Sequence, residues 1–138
     1  MKKFWIIAAM LLLACVAFGQ GLQKGNLVGV HHYTLTPKEG YTLKQVVKFY
    51  VNEYCPAYSK AFPGIQVYFT EIDRGEFKGQ FGIIYLCESK EVRNKYWPEK
   101  NAPSAAAEAG YEKMQPVWDK LGEIVTLSSG DHTDFIVY

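Results

Sequence analysis

An excess of charge of either sign is missing from this chain. Its 138 residues carry 15 Lys and Arg against 14 Asp and Glu, a formal net charge of +1. A surface so near neutral gives no electrostatic reason to bind nucleic acid or anionic lipid. Histidine and cysteine are scarce, with 3 of each, and none stands in HxxxH or CxxC spacing, so no metal site is predicted. No glycine-rich phosphate loop, GxGxxG turn or nucleophile elbow occurs, which removes the common nucleotide-binding and serine-hydrolase classes. Repeats, low-complexity tracts and long linkers are also missing, and a chain of this length reads as one domain.

Long apolar runs are missing too, except at the start. Lys2 and Lys3 precede the apolar stretch Phe4 to Val16, and small residues follow at Ala17-Phe18-Gly19. That is the order of a secretory signal peptide, and the run is short for a membrane span, which takes about 20 residues. Residues 1–19 are therefore read as a signal peptide, with cleavage between Gly19 and Gln20, and 20–138 as the mature domain. The implied location is exported, periplasmic or secreted, with no membrane span after cleavage. Leu12-Leu13-Ala14-Cys15 resembles a bacterial lipobox, but the apolar Val16, Ala17 and Phe18 argue against a lipoprotein anchored at Cys15. Without Lys2 and Lys3, the mature chain has 13 basic and 14 acidic side chains, a net of −1.

The mature chain is rich in aromatic and β-branched residues. Leu27 to Leu35 reads as a first strand. Thr42-Leu43-Lys44-Gln45 fits a capping box and opens a helix whose apolar face is Leu43, Val46, Val47, Tyr50, Val51 and Tyr54. Pro56 is expected to end or kink it, and Pro63-Gly64 to stop any continuation. Ile65 to Ile72 and Gln80 to Cys87 read as a hairpin around the polar turn Asp73 to Gly79. Glu88 to Tyr96 looks helical, and a longer helix runs from about Pro103 to Leu121, with Ala106, Gly110, Met114, Val117 and Leu121 inward and Pro116 kinking it. Thr133 to Tyr138 is the last strand, and Ser128-Ser129-Gly130 reads as a turn before it.

The order is strand, helix, strand, strand, helix, strand. Two split βαβ halves with right-handed crossovers give an α+β, ferredoxin-like βαββαβ sandwich, with an antiparallel four-stranded sheet and helices on one face. In that topology the first helix and the third strand end at one edge of the sheet, so Cys55 and Cys87 lie near one another and a disulfide between them is one reading; the alternative is two small buried apolar side chains.

The aliphatic first strand running into a Tyr/Thr-bearing loop, the strand Gly82-Ile83-Ile84-Tyr85-Leu86-Cys87-Glu88-Ser89 and the broken second helix resemble the dimeric α+β barrel superfamily, with its antibiotic-biosynthesis monooxygenase-like and stress-responsive groups. The resemblance covers nearly all of the mature chain at the level of pattern and includes no diagnostic motif. It implies a homodimer in which a second copy covers the free face of the sheet. Alternation supports this independently. Val28, Val30 and His32 share one face of the first strand, with Leu27, Gly29, His31 and Tyr33 on the other. Ile83 and Tyr85 oppose Gly82, Ile84 and Leu86 on the third. Both faces are apolar, so a fully solvated outer face is not expected.

Three groups could carry chemistry. His31 and His32 point to opposite faces and cannot share a metal from a regular strand; each is either a structural histidine or a proton-transfer group. The only other histidine is His132, just before the last strand; that strand lies beside the first, so one of the pair could approach Asp131 or Asp134. With Tyr85, His31 and His32 are the candidate catalytic acid/base residues. Tyr33, Tyr68 and Trp97 are the candidate ligand-binding residues, suited to a flat, partly polar molecule, although packing alone also accounts for aromatics. Glu71, Asp73, Arg74 and Glu76 read as a solvated hairpin tip. The expected function is binding of a small, largely apolar ligand between sheet and helices, with acid/base or oxidative chemistry as an extension. The alternative is a non-catalytic dimeric accessory module. A haem or metal protein is a third reading, separable by colour, and no cofactor is predicted.

Overall fold

The structure is a computed structural model that describes residues 21–98 and 102–138. The expected signal peptide, the Gly19–Gln20 cleavage point and Cys15 lie outside the described residues. Strand β1 (Leu27–Pro37) leads to helix α1 (Leu43–Phe49), a π-helical turn (Tyr50–Tyr54) and helix α2 (Cys55–Ala61). Strands β2 (Ile65–Glu71) and β3 (Phe81–Cys87) form the hairpin. Helices α3 (Lys90–Tyr96) and α4 (Ala105–Ile124) precede strand β4 (Val125–Ile136). The sheet order is β2-β3-β1-β4, with every pairing antiparallel. This is the ferredoxin-like sandwich.

Local chemistry sets the elements. Thr42 closes the capping box of α1: its hydroxyl accepts the amide of Gln45 at 3.3 Å, and Gln45 Oε1 accepts the amide of Thr42 at 2.8 Å. Pro56 does not end the helix. The chain widens to a π turn in which the Cys55 amide reaches the carbonyl of Tyr50, five residues back, and Pro56 falls in the first turn of α2, where a missing N–H costs nothing. Gly64, at a φ of +90°, then turns the chain into β2. Ser89 and Ser104 cap α3 and α4, and Pro116 lies on the exposed side of α4.

Three expectations need correction. Of the expected apolar face, Val46, Tyr50 and Tyr54 are buried, with Phe49 added, while Leu43 and Val51 are exposed. The last strand starts at Val125 rather than Thr133, because Val125 to Ser129 pairs with the far half of β1. Ser128-Ser129-Gly130 belongs to that strand, beside a register shift opposite His31 and Tyr33. Cys55 and Cys87 are buried free thiols, not a disulfide. Cys55, inside the helical segment, lies beside Phe69 of β2, whereas Cys87 pairs across from Ile65. Four residues of β2, roughly 13 Å of strand, separate those levels. Burial pushes both thiols up to about 11.

The core lies between the sheet and the helices, centred on Val46, Tyr50, Phe62 and Met114. Phe62 is the hub of its aromatic part, with Tyr58, Tyr96, Trp97 and Tyr111 around it at ring-centroid distances of 4.5 to 5.8 Å. Gly110 is what admits it: a β-carbon there would stand 2.4 Å from Phe62 Cε1. Gly122, on the same helix, has open space around it.

These two glycines give opposite predictions. Gly110→Ala should destabilise by about 1–2 kcal/mol, the overpacking cost less the gain in helix propensity. Gly122→Ala should stabilise by about 0.5–1 kcal/mol. Urea unfolding of the two variants checks both signs.

Candidate functional site

Alternation along β1 aims Leu27, Gly29, His31 and Tyr33 at the helices. Tyr85 and Cys87 of β3 and His132 and Asp134 of β4 stand beside them by register: Gly29 faces Tyr85 on one side and Asp134 on the other, and His31 faces His132. The helices supply the roof through Tyr58 of α2, Arg93 of α3, Trp97 at the end of α3 and Tyr111 of α4. Together these enclose a cavity of about 360 Å³.

Gly29 makes room for its polar groups. A β-carbon at Gly29 would lie 3.0 Å from Asp134 Oδ1 and 3.7 Å from His31 Nε2. Asp134 Oδ2 accepts from Arg93 Nη1 at 3.2 Å. The His31 ring stacks on His132 at 5.1 Å and meets Tyr85 edge-on at 4.8 Å. Behind it runs a series of hydroxyls. The Tyr33 hydroxyl lies 3.5 Å from His31 Nδ1. The Tyr85 hydroxyl lies 3.4 Å from that of Tyr54. Trp97 Nε1 donates to the Tyr111 hydroxyl in the roof.

Burial dominates the electrostatics. It raises Tyr33 and Tyr85 and takes Tyr54 to about 12, so the phenols stay protonated at neutral pH. His31 is lowered, first by burial and then by repulsion from His132, with Asp134 opposing. It is therefore mostly neutral at pH 7. Among the described residues, no group of three or more His, Cys, Asp or Glu side chains could hold a metal ion.

Four of the sequence candidates meet in this cavity: His31, Tyr33, Tyr85 and Trp97. Two do not. His32 points through the opposite face of the sheet, with its ring 5.1 Å from Phe77. Tyr68, on that face of β2, is 48% exposed and donates to Gln66 Oε1 at 2.6 Å. Arg93, Tyr58 and Tyr111 escaped the sequence reading, because helix spacing alone does not show which residues hang over a sheet. Asp134 was legible, with Asp131, only as a neighbour in the strand order, and the pairing of His31 with His132 was not read. Glu71, Asp73, Arg74 and Glu76 are exposed at the hairpin end as expected.

No protein-family model and no curated protein sequence matches the chain. Two solved structures resemble it in outline. One is the crystal structure of SnoaB, a cofactor-independent oxygenase from Streptomyces nogalater, at 10% identity and a TM-score of 0.45, covering 83% of this chain and 94% of that one. The other is a dimeric protein of unknown function and ferredoxin-like fold from Bacteroides fragilis NCTC 9343, at 8% identity and a TM-score of 0.38, covering 83% and 99%. The resemblance drawn from the sequence holds at the level of fold, which the sheet order of this chain establishes by itself.

A pH dependence follows from His31. The unfolded chain takes up this proton near pH 6.5, the folded chain only at lower pH. Between those values the unfolded state binds more protons, so stability falls as pH falls through this window and is fully retained above it. Urea midpoints at pH 7.5 and pH 5 should drop less in His31→Gln than in the parent. Equal drops would remove His31 from the account.

Proposed function

We propose that this chain is an exported, homodimeric domain, periplasmic or secreted, that binds a flat, largely apolar small molecule in the cavity under α2, α3 and α4. The observation that carries the reading is the convergence of His31, Tyr33, Tyr85, His132 and Asp134 on one aromatic-roofed space of about 360 Å³. Ligand sites have this composition, an apolar lining with a few convergent polar groups. Trp97, Tyr58 and Tyr111 would sandwich the ligand, and His31 would exchange a hydrogen bond or a proton with it. Acid/base or oxidative turnover of that ligand is the extension of this reading.

Native mass spectrometry of the protein isolated from its export compartment tests it. The expected species is a dimer starting near Gln20 with a retained small-molecule mass. That mass should be lost in His31→Ala and Trp97→Ala and kept in His32→Ala. A ligand at 100 times its Kd adds about 2.7 kcal/mol of apparent stability, so thermal shifts against a panel of flat aromatic compounds give a second readout. No retained mass and no stabilising compound would overturn the binding reading.

The opposite face of the sheet supports the dimer. Val28, Val30, Ile84 and Leu86 are half-buried in the lone chain, with Tyr68 48% and Phe135 54% exposed beside them. Val30 and Ile84 are direct cross-strand partners. A contiguous apolar face of this kind fits an interface between copies of one chain. Ile84→Lys should convert the dimer to a monomer in size-exclusion chromatography with light scattering, with the helix-side cavity intact. A parent that is already monomeric would refute the homodimer.

A further inference from the structure

Gly29 is a glycine that its backbone does not require. It sits inside β1 without a positive φ, so other residues could adopt its conformation. A glycine inside a strand weakens it and often marks a place where another group comes close. Two polar atoms stand around the position a β-carbon would take there, Asp134 Oδ1 at 3.0 Å and His31 Nε2 at 3.7 Å. Gly29, His31 and Asp134 all line the cavity. The missing side chain leaves a polar notch in an aromatic-lined space.

The notch has a polarity. Asp134 Oδ2 accepts from Arg93 Nη1 at 3.2 Å, which holds the carboxylate with Oδ1 on the Gly29 side. An ionised carboxylate oxygen can only accept, whereas a neutral imidazole nitrogen takes either part according to its tautomer. His31 therefore adapts and Asp134 does not. A ligand atom seated over Gly29 must donate, because an acceptor there would set its lone pairs against those of Oδ1. The guanidinium of Arg93 offsets the charge of Asp134, so the donor needs no charge of its own.

We infer that Gly29, His31 and Asp134 form a notch that selects flat ligands carrying a neutral hydrogen-bond donor at the ring edge, such as a ring N–H, with Asp134 Oδ1 as the discriminating acceptor. This rests on the binding reading above and narrows its ligand class.

The test is a thermal-shift titration of the purified protein with three tricyclic compounds of one outline. Carbazole carries an N–H where fluorene carries a methylene and fluorenone a carbonyl. The parent should bind carbazole about tenfold more tightly than fluorene, and fluorenone no more tightly than fluorene. Gly29→Ala fills the notch and should lose the preference for carbazole; its methyl meets the end of the Asp134 side chain rather than backbone, so the fold should hold. In Asp134→Asn, Arg93 can bond only to the amide oxygen, which turns the amide N–H groups toward Gly29. The order of carbazole and fluorenone should then reverse, a result that does not depend on the Gly29 variant. Equal binding of carbazole and fluorene by the parent, or an unchanged order in folded Asp134→Asn, would overturn the inference and leave the binding reading standing. A parent that binds none of the three would remove both.

Discussion

Phenol hydroxyls buried under a helical layer must find partners, and the interior of this domain is organised by that requirement. An unpaired buried hydroxyl costs about 1–3 kcal/mol, a large part of the stability of a small domain. Tyr33 and Tyr85 come from neighbouring strands of the sheet and Tyr54 from the π turn. The Tyr85 hydroxyl stands 3.4 Å from that of Tyr54, and the Tyr33 hydroxyl 3.5 Å from His31 Nδ1. The apolar bodies of the same rings fill the core, so one set of residues provides both packing and polarity.

The π turn is the part of the backbone that makes this possible. In an uninterrupted α-helix, Pro56 would clash with the carbonyl four residues earlier. Widening at Tyr50–Tyr54 absorbs the clash, and Tyr50 and Tyr54 are both buried. Tyr50 then stacks on Phe69 with ring centroids 4.3 Å apart, while Tyr54 reaches Tyr85. Leu43 and Val51 face outward.

How much of this was legible depends on the period of the signal. Strand alternation repeats every two residues and needs no knowledge of neighbours, so the separation of His31 from His32 and of Tyr85 from Ile84 could be read directly. The capping box at Thr42 and the turn at Gly64 are equally local. The π turn was hidden because a proline in a helical pattern signals a break more often than a bulge. The early start of β4 was hidden because Ser128-Ser129-Gly130 has turn chemistry, while its pairing partner lies some 95 residues away, at Tyr33 and Thr34. Arg93 and Tyr111 join the site through helix packing, which no single-chain pattern encodes. Cys55 and Cys87 looked close only because the first helix was expected to end at Pro56.

The pleat of β1 divides the molecule into two chemistries that share one strand. On the helix side, Gly29 leaves an opening that a carboxylate and an imidazole both approach. On the other side, Val28 and Val30 stand in register with Leu86 and Ile84 and leave no such opening. His32 lies on that second face, near Phe77 rather than near a carboxylate. The two adjacent histidines therefore have unlike surroundings although their covalent environments are nearly identical. The one facing the helices has a buried hydroxyl behind one nitrogen and open space before the other, which is the arrangement that recognition needs; the one facing outward has neither. A shift of β1 by one residue would exchange the two histidines and bring Val28 and Val30 inward against the helices. The apolar side chains that hold the register therefore also hold the site.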